Sequence, residues 1–165
     1  MRVPSVVLVG ESNPYGADPR YALYPDPPGC AGYRLCHKVL GIDARDYLRA
    51  FERVNLLQGP RWSVPKARAA ASALVQRTDG GWSRPGGRPL VLLGRRVAAA
   101  FGLGDILPFT RVPIGEWTFV LLPHPSGRCR AWNDPGSFER ARALVLPLVR
   151  SQSGGDEVDP PCQST

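Results

Sequence analysis

Three short runs in this chain are apolar at every position: Val6-Val7-Leu8-Val9, Leu90-Val91-Leu92-Leu93 and Phe119-Val120-Leu121-Leu122. Such runs predict strands covered on both faces, because a half-solvated strand alternates apolar with polar residues instead. Between them the period lengthens. Gly32 to Leu40 places Tyr33, Cys36 and Leu40 on one helical face and ends at Gly41; Lys66 to Arg77 is an Ala-rich helix opened by Pro65; Arg95 to Phe101 is a short helix closed by Gly102; and Ser137 to Val149 is a final helix with Ser137 as its N-cap. Phe51 to Leu57 predicts a further strand, and Gly115-Glu116 a hairpin joining Thr110–Ile114 to Trp117–Leu122. Pro113 confines the first hairpin arm to a sheet edge. Apolar strands alternating with helices imply an α/β fold: a three-layer αβα sandwich on a short, mainly parallel central sheet.

The pattern also sets the domain limits. Residues 1–150 carry the periodic elements and make one domain of ordinary size, whereas 151–165 hold Ser, Gly, Gln, Pro and three acids with a single Val. Such a segment buries too little apolar surface to offset its ordering entropy, so it reads as a disordered acidic tail. Without the tail's three acids, 21 Lys and Arg stand against 11 Asp and Glu, a formal charge of +10. A domain so charged is drawn to polyanions, although a solvated Arg-rich surface has the same composition.

No stretch reaches the roughly 20 apolar residues of a membrane span, and the chain starts with no secretory apolar core, so a cytoplasmic, monomeric protein without a membrane partner is expected. The four cysteines, Cys30, Cys36, Cys129 and Cys162, lack the close C-x-x-C pairs of most zinc sites, and neither metal nor another cofactor is expected.

Polar, turn-forming chemistry follows two of the buried strands. Gly10-Glu11-Ser12-Asn13-Pro14-Tyr15-Gly16 comes directly after Val9, and His124-Pro125-Ser126-Gly127 closely after Leu122. Open parallel sheets keep their sites at the carboxyl ends of strands. An acid and an amide on one loop and an imidazole on another therefore point to a shared site.

These segments resemble the two signature loops of the uracil-DNA glycosylase superfamily. The first is similar to the superfamily's GEAPG, GINPG and GQDPYH forms, with Glu11 where one form has its acid, Asn13-Pro14 where another has its amide, and one extra residue before Pro14. His124-Pro125-Ser126 matches the HPS of the second loop. In between, Gly29-Cys30-Ala31-Gly32 looks like a GRAG segment, Leu92-Leu93-Gly94 with Val97 to Ala100 looks like an LGxxAAxxL strand and helix, and Asn55 sits where the family places a base-reading Asn.

The resemblance implies excision of uracil or a related deaminated or modified base from DNA. In that chemistry the sugar gains oxocarbenium character and the leaving base gains negative charge, so a donor at the base and a group that orients water are both needed. His124 can supply the donor as a neutral imidazole. Glu11 can polarise the water as a carboxylate and Asn13 can position it through its amide oxygen. Asn55 can pair with the edge of the base, and Tyr15, Tyr21 or Tyr24 can stack on it. After the histidine, Ser126, Arg128, Arg130 and Trp132 are candidates for nucleic-acid contact, with Arg128 or Trp132 in place of the family's aliphatic wedge. Two other functions fit the same residues: an N-glycosidase of free nucleosides or nucleotides, and a non-catalytic nucleic-acid-binding module.

Overall fold

In a computed structural model, which describes residues 6–13, 16, 18–76 and 88–150, five strands form one sheet in the order β2-β1-β3-β5-β4. They are β1 (Val6–Asn13), β2 (Phe51–Gln58), β3 (Leu90–Leu93), β4 (Thr110–Ile114) and β5 (Trp117–Leu122). The first, second, third and fifth run parallel; only β4 is antiparallel, paired to β5 through the expected hairpin. The chain has a mixed α/β fold, a three-layer sandwich on a mostly parallel sheet.

Alternation along each strand sorts side chains between two apolar layers. Val6, Leu8, Val91, Leu93, Val120 and Leu122 face one layer, which is closed by α2 (Ala44–Ala50), α5 (Ser137–Arg150) and a helix that begins as α1 (Ala31–Tyr33) and continues as a π-helical stretch (Arg34–Leu40). Val7, Val9, Leu90, Leu92, Phe119 and Leu121 face the other, under α3 (Val64–Gln76) and α4 (Arg95–Ala100). Both faces are covered, which is why the central strands carry no polar alternation. Among the described residues, no helix is long and apolar enough to cross a membrane.

Four local features differ from the sequence reading. First, β1 continues through Asn13, so Glu11 and Asn13 project from a strand rather than a loop; pairing with β2 persists to Asn13↔Gln58 because β2 is equally long. Second, α2 was not expected. It is only two turns long, but Asp43 caps it by accepting from the Asp46 N–H at 2.8 Å, and the fully buried Tyr47 donates its hydroxyl to the Leu23 carbonyl at 2.9 Å. Third, Ser137 is not the N-cap of α5: it is the helix's first residue, and its buried hydroxyl donates to the Ala131 carbonyl at 2.6 Å. Fourth, the helix after Ala31 is mostly π-helical and ends at Gly41, whose φ of 66° is a left-handed conformation that glycine adopts without strain. The expected tail, 151–165, lies outside the described residues, as do Pro14 and Tyr15.

Candidate active site

The carboxyl ends of β1, β2 and β5 open onto one cavity of about 380 Å³. Glu11 and Asn13 reach it from β1, Asn55 from β2 and His124 from the segment after β5, while Tyr21, Tyr24 and Asp26 enclose it from the long connection before α1. The parallel register explains the meeting. Gly10 pairs with Asn55 across β1 and β2, so both strands end at the same height. Three glycines make the close approaches possible. A Cβ on Gly10 would collide with the Asn55 carboxamide, and one on Gly32 with the Leu23–Tyr24 backbone. At Gly94 (φ 104°) a Cβ would stand 3.2 Å from the His124 Cβ and 3.3 Å from Glu11 Oε1, so acid and imidazole flank a single backbone position.

His124 has a defined hydrogen-bonding state. Its Nδ1 accepts from the Ser126 N–H at 3.2 Å, which leaves the proton of the neutral ring on Nε2 as a donor. Burial pushes its pKa below 6.5; Glu11 opposes that shift and Arg96 adds to it. The imidazole therefore stays neutral through the physiological range.

Glu11 is partly buried, and its Oε2 lies 3.8 Å from an Nη of Arg96 on α4. Most of the Arg96 side chain is in solvent, so screening keeps the pair weak, but it places a cation beside the acid. Asn13 is 3% exposed, and its Nδ2 donates to the Asp18 carbonyl at 3.3 Å, tying the end of β1 to the loop that follows. Asn55 is half-buried, lines the cavity and has no hydrogen-bond partner for its carboxamide among the described residues.

The aromatic wall is Tyr24, with Tyr21 edge-on to it at 5.9 Å. Behind Tyr24 lies Arg53, whose guanidinium carbon is 5.4 Å from the ring centre and whose Nη1 donates to the Ala22 carbonyl at 3.1 Å. Tyr15, the other expected stacking residue, lies outside the described residues.

The expected nucleic-acid contacts divide. Arg128 and Arg130 are exposed, and Ser126 is half-buried with its N–H engaged by His124. Trp132 does not belong with them. It is 6% exposed, stacks on Phe138 at 5.7 Å, meets Phe109 edge-on at 5.5 Å and donates its indole N–H to the His124 carbonyl at 2.8 Å. An indole committed in this way cannot wedge into a duplex; within the 3-10 turn Arg130–Asn133 it faces inward, while Arg128 and Arg130 stay exposed.

Sequence reasoning missed Arg96, Arg53, Arg34 and Asp26. One signal for Arg96 was available: Arg95 and Arg96 open a helix whose N-terminal dipole favours acids, so such a cation needs another partner. The others had none, since each depends on a chain crossing. Cys30 and Cys36 have structural roles: Cys30 Sγ caps α1 by accepting from the Tyr33 N–H, and Cys36 donates to the Ile42 carbonyl. Among the described residues no group of three or more His, Cys, Asp or Glu is arranged to hold a metal ion. No family model matches the chain, and no curated protein matches it significantly.

Proposed function

We propose that this cavity holds a base everted from DNA and hydrolyses its N-glycosidic bond, with uracil or a related deaminated or modified base as the leaving group. The observation that carries the reading is the convergence of Glu11, Asn13, Asn55 and His124 from three strand ends on one cavity beside Tyr24. Water adds its oxygen to the sugar C1′ as the bond to the base breaks, and the bonding electrons leave with the base. The His124 Nε2–H donates to the base oxygen where that charge collects, which a neutral imidazole does without itself being deprotonated. The Glu11 carboxylate accepts the proton of the attacking water, and Asn13 at the end of β1 orients it. Asn55 supplies a donor and an acceptor to the base edge, and an edge that fails to match leaves its carboxamide unpaired, which is the source of selectivity.

Charge supports a polymeric substrate. The described cavity lining has Glu11 and Asp26 and no Lys or Arg, whereas Arg128 and Arg130 are exposed just beyond His124. A nucleoside unit fits the cavity and its phosphates belong outside, on the arginines.

The test is single-turnover base release from oligonucleotides carrying uracil, hypoxanthine, xanthine or hydroxymethyluracil. Release of at least one base is expected. Absence of release from all four by folded protein overturns the reading in favour of a binding module, and equal turnover of the free nucleoside moves the substrate from DNA to a monomer.

A further inference from the structure

Three consecutive polar groups of the His124 segment are held by hydrogen bonds. The His124 carbonyl accepts from Trp132 Nε1 at 2.8 Å, the Pro125 carbonyl accepts from Arg34 Nε at 3.2 Å, and the Ser126 N–H donates to His124 Nδ1 at 3.2 Å. The two outer donors come from separate parts of the fold. Arg34 opens the π-helical stretch and lies against Gly127, where a Cβ would stand 3.7 Å from its Nη1. Trp132 is clamped between Phe109 and Phe138, the latter on α5, and the turn that carries it is tied to α5 by the bond from Ser137 to Ala131.

We propose that Arg34 and Trp132 are positioning residues that fix the His124–Ser126 backbone, and through it hold the imidazole as the Nε2–H tautomer aimed into the cavity. The physical reason is that the Ser126 N–H can select Nδ1 as acceptor only while residues 124 to 126 keep one conformation. A free loop would let the ring rotate and exchange tautomers. Neither residue lines the cavity, so neither touches the substrate. The kinetic consequence rests on the base-release reading, whereas the tautomer is a property of the protein alone.

Trp132→Phe removes one donor while keeping an aromatic ring between Phe109 and Phe138, and Arg34→Met removes the other while keeping the aliphatic stem. In each variant kcat is expected to fall by about 10-fold or more with KM within about twofold, since a small misplacement of a catalytic group costs turnover and not binding. Independently, ¹⁵N NMR of the imidazole is expected to show protonated Nε2 and unprotonated Nδ1 in the wild type, and a mixture of both tautomers in the variants. The chain has two histidines, so His37→Gln assigns the signals. A variant that folds and keeps both wild-type kcat and a single Nε2–H tautomer overturns the proposal, even if its melting temperature falls. Should Trp132→Phe not fold, Arg34→Met decides. If the wild type releases no base, the functional reading fails, and the tautomer measurement alone decides the positioning role.

Discussion

The Asn55 carboxamide lies directly over Gly10, in the space that any side chain on that residue would fill. The two are register partners on adjacent parallel strands, and Asn55 lines the cavity. Gly10→Ala therefore has to swing the carboxamide aside. Under the base-release reading, kcat/KM on the best substrate is expected to fall about 10-fold, and discrimination between matched and mismatched bases to narrow, because the loss of one well-placed bidentate group costs about 1–3 kcal/mol. A double-mutant cycle checks the cause. Gly10→Ala should add almost nothing to Asn55→Ala if both act through the carboxamide, and full additivity would refute that link.

Removing the imidazole tests the chemistry more directly. His124→Ala is expected to lower single-turnover base release by about 100-fold or more, corresponding to about 3 kcal/mol for one preorganised donor to a developing anion. Glu11→Gln and Asn13→Ala then separate the two candidate water-handling groups. The one whose loss lowers the chemical step without weakening product binding activates the water. Wild-type rates in His124→Ala would assign the leaving-group donor elsewhere.

The pH dependence follows from the burial of His124. Its pKa is displaced below the ordinary 6.5 by burial, so well above that pH the ring is neutral in both folded and unfolded chains. Between 6.5 and the lower folded value the unfolded chain binds the proton first, and stability falls as pH falls through this window. Protonation also puts a hydrogen on Nδ1, which displaces the Ser126 N–H. Melting temperature is expected to hold steady from pH 8 to about 7 and to fall as pH drops through 6.5, whereas base release declines only at lower pH, where the folded imidazole takes up its proton. His124→Gln should abolish the part of the stability loss that belongs to this residue; a profile unchanged by that substitution would count against it.

The exposed arginines and the buried tryptophan of the same segment give opposite signatures. Arg128→Ala and Arg130→Ala are each expected to weaken oligonucleotide binding and to reduce its logarithmic salt dependence by about one phosphate contact. Trp132→Ala removes a core side chain and is expected to cost about 3–5 kcal/mol of stability. Thermal melts and titrations at two salt concentrations separate these effects. Unchanged affinity in both arginine variants would remove this loop from the nucleic-acid surface.

Much of the architecture was legible because its signals are local. A run such as Leu90 to Leu93 has to be buried on both faces wherever it lies, and Gly115-Glu116 turns the chain whatever surrounds it. The short helix α2 escaped because a seven-residue amphipathic segment is not stable alone and depends on Tyr47 reaching Leu23, 24 positions away. The same division runs through the site. Glu11, Asn13, Asn55 and His124 stand out in sequence because polar residues at the ends of apolar strands gather at one edge of a parallel sheet. By itself the order of residues determined which groups arrive there. It left Trp132 on the surface, whereas the fold turned that side chain into the core to hold His124, and joined Glu11 to Arg96 across 85 positions of chain. Hydrophobic periodicity is written along the chain and can be read from it, but the partner of a polar group is chosen only when distant segments pack and fix which donors face which acceptors.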